Sequence, residues 1–93
     1  MQNKNQPTPI GASNHPEALY QWGLKAFNSK NFGQAANYFN KAIQADSKQP
    51  HYWFALGLVS QTQGEFDEAV GYFSKVLELN PNFARAYYQL GTL

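Results

Sequence analysis

The sequence predicts an all-α protein, and three observations carry that expectation. Apolar residues recur at steps of three and four, as in Leu19, Trp22 and Ala26 or Ala69, Phe73, Val76 and Leu77, which places them along one side of a helix. Glycine, proline and short polar runs separate those stretches, at Lys30-Asn31-Phe32-Gly33, Asp46-Ser47-Lys48-Gln49, Gly64 and Asn80-Pro81-Asn82. The pattern also returns after 34 residues. Gly57, Leu58, Phe66, Ala69, Tyr72, Phe73 and Lys75 have counterparts at Gly23, Leu24, Phe32, Ala35, Tyr38, Phe39 and Lys41. Pro16 likewise precedes Pro50, while Trp53 and Leu56-Gly57 are matched further on by Tyr87 and Leu90-Gly91.

Taken in order, residues 1–15 form a polar segment rich in Asn and Gln, with Pro7 and Pro9. It buries too little apolar surface to offset the entropy of ordering, so a flexible tail is expected. Asn14 or Ser13 is placed to cap a first helix, and Pro16 suits its first turn. From Glu17 to about Ser29 that helix is apolar over most of its circumference, which requires cover on more than one side. Asn31, with Gln34 three residues on, fits a capping box for a second helix at about 32–45, carrying Ala35, Phe39, Ala42 and Ile43 on one stripe. A third helix at 50–63 points Trp53, Leu56 and Ser60 inward and is broken by Gly64. Glu65, Asp67 and Glu68 put acids at the positive end of the next helix dipole. That fourth helix, 67–79, is expected to bury Ala69, Val70, Phe73, Val76 and Leu77. Asn80-Pro81-Asn82 ends it, and a last helix begins near Ala84. Trp22, Trp53, Phe39 and Phe73 are read as core.

The aromatic, Leu-Gly pair, Ala, second aromatic and Pro of Trp53, Leu56-Gly57, Ala69, Phe73 and Pro81 resemble the signature of the tetratricopeptide repeat, whose period is 34 residues. The resemblance covers all but the first fifteen or so residues: one repeat at 16–49, a second at 50–83 and the opening helix of a third at 84–93. Ser47 departs from the pattern, standing where the second repeat has Pro81. The resemblance implies a right-handed superhelix of antiparallel helix pairs whose inner groove holds a peptide or another protein. In that family the concave wall comes mainly from the first helix of each repeat. Carried over one residue at a time, it is Glu17, His51 and Arg85 at the second position and Tyr20, Phe54 and Tyr88 at the fifth. Gln21, Ala55 and Gln89 follow at the sixth, Leu24, Leu58 and Thr92 at the ninth, and Phe27 and Gln61 at the twelfth. Such a wall is aromatic and aliphatic in the middle, and aromatic anchors bury much area with few rotamers to freeze. Tyr20, Phe54, Leu58 and Tyr88 suit either that groove or packing between repeats. The carboxylate clamp of chaperone-binding members is not expected, because its places hold Tyr20, Leu24, Ala55, Arg85 and Gln89, of which Arg85 alone has the required charge.

Composition narrows the function classes. At 93 residues the chain is one small domain, with little interior for a cleft between lobes. Seven basic and six acidic side chains, spread evenly for a net charge of +1, make no field to gather nucleic acid or anionic lipid. With no cysteine, disulfides, thiolate metal sites and cysteine chemistry are excluded. No metal or other cofactor is expected: His15 and His51 lie far apart in the repeat scheme, and the acids at 65–68 serve a helix start. The glycines follow no strand and precede no Gly-Lys-Ser/Thr, so no phosphate loop is formed. No apolar run is long enough to span a bilayer, and the first fifteen residues lack the centre of a secretion signal, leaving the cytoplasm as the default compartment.

The expectation is therefore a non-catalytic module that binds protein or peptide. A rival reading makes it the recognition arm of a larger enzyme, such as a glycosyl- or sulfotransferase. About three repeats are wanted for a stable array, so either the chain is a fragment of a longer protein or it finds cover elsewhere; the edge carrying Tyr87, Leu90 and Leu93 is expected to associate, with a second copy by stacking or by exchange of a helix pair, which would make the module a self-associating scaffold.

Overall fold

The computed structural model describes residues 15–93; the expected tail before His15, with the suggested caps Ser13 and Asn14, lies outside them. Five helices follow in order: α1 Pro16–Asn28, α2 Phe32–Ala45, α3 Pro50–Thr62, α4 Phe66–Leu79 and α5 Ala84–Thr92. There is no strand among the described residues. No helix among them is long and apolar enough to cross a membrane. Pro16 and Pro50 occupy the first turns of α1 and α3, where an amide hydrogen has no helical partner to lose.

Three-residue connections fold α2 back on α1 and α4 back on α3, and both use the same stop. Asn31 N donates to Ala26 O at 2.9 Å and Glu65 N to Ser60 O at 2.8 Å, six-residue closures that satisfy carbonyls at the ends of α1 and α3. Each closure needs one residue in the left-handed region. Gly64 supplies it in the second repeat with φ +79°, and Lys30 in the first with φ 66°. The capping box expected at Asn31 is not made: its side chain forms no cap hydrogen bond, and its backbone is already committed to the closure and to Ala35 N. The longer connections match as well. Asp46 Oδ1 accepts from Lys48 N at 3.1 Å and Asn80 Oδ1 from Asn82 N at 3.0 Å, so an Asx turn recurs at the same step.

Packing between paired helices turns on a glycine and a ring. A Cβ on Gly57 would stand 2.5 Å from Cε1 of Phe73, and one on Gly23 2.6 Å from Cδ1 of Phe39, so each ring lies in the notch left by a missing side chain. Both rings are fully buried, each worth roughly 2–3 kcal/mol of transfer free energy. One core cluster joins α1, α2 and α3 through Leu19, Ala35, Phe39, Ala42, Leu56 and Val59; a second joins α3, α4 and α5 through Phe54, Ala69, Phe73, Val76 and Ala86.

Some expected core residues pack at the margin of the clusters, and Val70 lies outside them. Trp22 and Trp53 are half-buried, each with a lysine ammonium 5.7 Å from its ring, Lys25 and Lys75 respectively. Trp53 also donates from Nε1 to Ser47 O at 2.9 Å, and that polar edge keeps the indole at the rim. Val70 is 42 % exposed, because it sits beside the stripe of Ala69, Phe73 and Val76 and no helix covers it; Leu77 is half-buried. On α5, Leu90 packs back against the second cluster, while Tyr87, Tyr88 and Leu93 face outward at 56, 69 and 40 % exposure.

Candidate partner-binding wall

Because each pair is antiparallel, α1, α3 and α5 run the same way, and residues one repeat apart stand side by side. Glu17 and His51 show this: they are 34 positions apart, and Nε2 of His51 is 3.5 Å from Oε1 of Glu17. The same carboxylate accepts from Tyr52 Oη at 3.1 Å and, through Oε2, from Gln21 Nε2 at 3.1 Å. Partial burial pushes the Glu17 carboxyl up, but the hydrogen bonds from Gln21, His51 and Tyr52 outweigh it and hold it below its ordinary 4.5. The Tyr52 phenol moves the other way, pushed up to about 12 by burial and by the carboxylate it serves.

Around this group aromatic rings cluster. Tyr20 meets His51 edge-on at 4.9 Å between centroids, Tyr52 at 5.2 Å and Phe39 at 5.8 Å. Burial raises the Tyr20 phenol above its ordinary value and Glu17 adds to this, while the charge of Arg85 acts against both. Arg85 belongs to α5. Its guanidinium carbon lies 4.7 Å from the centroid of Phe54, whose ring packs at a tilt against Phe73 at 5.5 Å and Phe83 at 5.3 Å. At the other end, Gln61 Nε2 donates to Thr92 Oγ1 at 3.2 Å, tying α3 to α5, and Thr92 Oγ1 donates to Gln89 O at 2.7 Å.

Fourteen side chains are expected on this wall, and their exposure divides them. Glu17, Gln21, Arg85, Tyr88 and Thr92 are exposed; Tyr20, Leu24, Phe27, His51, Leu58, Gln61 and Gln89 are half-buried. Phe54 and Ala55 are each only 4 % exposed, so they support the wall from behind and offer a partner no surface. The reason is their place in the stack: the aromatic at 54 is enclosed by Phe73 and Phe83 as Tyr20 is not. Two contributors lay outside the expected set. Tyr52 and Phe83 carry no repeat signal, since the counterparts of Tyr52 are Ala18 and Ala86 and that of Phe83 is Gln49.

A depression of about 210 Å³ lies away from these residues, between α1 and α2, lined by Trp22, Lys25, Ala26, Ser29, Asn31, Gln34 and Tyr38. Among the described residues no three His, Cys, Asp or Glu side chains come together as a metal site. Glu65, Asp67 and Glu68 stand at the cap and first turn of α4, toward the positive end of its dipole.

A helix pair repeated at a fixed step, with a wall of first-helix side chains, defines a class of helical-repeat protein. The model of the tetratricopeptide repeat matches residues 16–48 and 50–83, and the chain belongs to that family. Among solved structures it is similar to two of MamA, each at 29 % identity over 81 % of this chain. They have TM-scores of 0.79 and 0.78, and the match covers 44 and 41 % of their chains. It is similar also to a mutant O-GlcNAc transferase from Thermobaculum terrenum, at 30 % identity and TM-score 0.81, over 87 % of this chain and 16 % of that one. The chain thus spans less than half the length of each. No curated protein matches it.

Proposed function

We propose that this chain is a non-catalytic protein-interaction module whose α1, α3 and α5 wall takes a peptide or partner segment. Tetratricopeptide repeats are in general interaction modules, and the observation that supports this use here is that Glu17, Tyr20, His51, Leu58, Arg85 and Tyr88, all on first helices, keep exposed or half-buried side chains. Half-buried rings present flat apolar surface already fixed in place, so a partner loses little side-chain entropy at the protein's end of the contact. Leu58 and Tyr88 are the anchors to test, because both retain surface and Tyr88 is 69 % exposed. Capture of partners with the intact chain, followed by peptide mapping, identifies the ligand. Leu58→Gln with Tyr88→Ser then weakens it at least tenfold, about 1.4 kcal/mol, with helicity unchanged. Affinity that survives both changes removes the wall from the binding site.

The second reading, recognition arm of a larger enzyme, is favoured by the similarity to an O-GlcNAc transferase of which this chain would span a sixth or so. Sequencing the full reading frame separates the two.

A further inference from the structure

The wall makes one contact twice, with different chemistry. Arg85 stands to Phe54 as His51 stands to Tyr20: each is the second wall position of a repeat set against the fifth of the repeat before. At the later step a guanidinium carbon lies 4.7 Å from the ring centroid. At the earlier step an imidazole takes that place, 4.9 Å from Tyr20 and at 86° to it. Trp22 and Trp53 each carry a lysine in the same way, whereas no lysine or arginine among the described residues lies over Tyr20. Two rings at right angles bound a corner on either side. Tyr52, 2 % exposed and packed against both rings at 5.2 and 4.6 Å, fills the inner corner, while Tyr20 and His51 keep surface on the outer one. Glu17 lies one turn before Tyr20 on α1, is the wall's single acid, and has a side chain 61 % exposed. Oε1 already takes Tyr52 and His51, but Oε2 takes Gln21 alone and has room for a second donor. Gln21 and Tyr52 are uncharged donors, and His51 is charged only when protonated, so the carboxylate's charge is left unmatched.

We infer that the corner of Glu17, Tyr20 and His51 receives an arginine side chain of the partner segment, its guanidinium against the rings and donating to Oε2 of Glu17. The inference rests on the wall being the partner's seat, and it names the residue that the first step of the wall reads. Arginine suits the corner better than lysine, because a planar guanidinium can cover a ring and still direct N–H groups at a carboxylate, whereas an ammonium is a compact point charge. The chain itself sets a guanidinium on the ring at the equivalent place of the next step. Charge then fixes the direction of the segment. Position two is acidic on α1 and basic on α5, so Arg85 repels a second cation and the partner's arginine is held at the α1 end.

Titration of the intact chain with N-acetyl-arginine amide, followed by NMR, tests the corner without a partner in hand. Saturable shifts are expected at Glu17, Tyr20, Gln21 and His51, with a millimolar dissociation constant, since an exposed ion pair and a cation on a ring are each weak. N-acetyl-norleucine amide, of similar length but uncharged, leaves those signals still. Glu17→Gln keeps the acceptor for Tyr52 and removes the charge, and it weakens the arginine amide by roughly fivefold or more, as does Tyr20→Leu. Unchanged urea midpoints show that both variants remain folded. A peptide captured on the wall loses affinity by a similar factor when its arginine is replaced by norleucine, in the wild type and not in Glu17→Gln. Equal shifts with the two amides, shifts gathered at Glu65, Asp67 and Glu68 instead, or binding indifferent to Glu17→Gln each overturn the inference. If the arginine amide fails while a captured peptide still depends on Leu58 and Tyr88, the inference falls and the wall stands. If the amide binds at the corner of a chain that captures no peptide, the corner stands as a guanidinium site and the peptide reading falls.

Discussion

The two complete repeats follow one path with one glycine-to-ring joint, yet their first helices are buried very differently. In α3, Leu56 and Val59 are 3 and 2 % exposed, pressed against α2; at the same places α1 has Trp22, half-buried, and Lys25, exposed. Helix α3 lies between two second helices and α1 beside one. The joint inside a pair is a property of the repeat, whereas cover on the outer side of a first helix is a property of its place in the stack. That distinction explains why α3 is buried on nearly every side while α1 leaves Trp22 and Lys25 at the surface.

The largest effect comes from the joint itself. Phe39→Ala and Phe73→Ala each empty a fully buried notch and are expected to cost about 3–5 kcal/mol in urea unfolding. If the joint belongs to the repeat, the two values agree within about 1 kcal/mol despite the different surroundings of α1 and α3. A larger gap means that stacking reaches into the pair and the distinction fails.

The contact between repeats gives the next effect. Glu17 of the first repeat takes the Tyr52 hydroxyl of the second, and no such contact recurs toward α5, where the counterpart of Tyr52 is Ala86. The Tyr52 phenol is raised from its ordinary 10.0 to about 12. An acid whose folded pKa is raised stabilises fully below its unfolded value, so this contribution is complete below pH 10 and is lost as pH climbs toward 12. Its size is on the order of 1–2 kcal/mol, read from urea midpoints across that window. Tyr52→Phe lowers stability at neutral pH by about 1 kcal/mol and flattens the alkaline decline. The Glu17 carboxyl is lowered, so its share is present above about 4.5 and fades as pH falls; being largely exposed, it is well under ~1 kcal/mol. An alkaline decline unchanged in Tyr52→Phe assigns it to another of the tyrosines.

Most of the fold was legible because each helix pair solves its packing with its own residues. Gly57 and Phe73 announce the joint, and the same pair 34 positions earlier shows that it recurs; Pro16 and Pro50 mark the starts of α1 and α3. What was not legible depends on neighbours. Trp22 and Val70 have the residue types and spacing of core side chains, but the element that would cover them is not supplied by their own pair. Phe54 occupies a wall position by register and is enclosed because Phe83, outside the repeat pattern, folds over it. Tyr52 was missed because its contact departs from the repeat: with alanine at both counterpart positions, periodicity marks it as unremarkable.

The smallest effect tests the two stops. Lys30 holds φ 66° where the second repeat has Gly64 at φ +79°, and both serve the same six-residue closure. A side chain in the left-handed region costs roughly 1 kcal/mol that glycine does not pay, offset in part by the greater entropy glycine loses on folding. Lys30→Gly is therefore expected to stabilise by about 0.5 kcal/mol, and Gly64→Lys to destabilise by about 1 kcal/mol. Lys30 is exposed and nothing stands within 4 Å of a Cβ at Gly64, so neither change disturbs packing and the backbone alone is read. Opposite signs at these two positions confirm that the repeats end their first helices by the same device with different residues. Equal signs mean that Lys30 gains something from its side chain that compensates for the strain, and the two stops are then not equivalent.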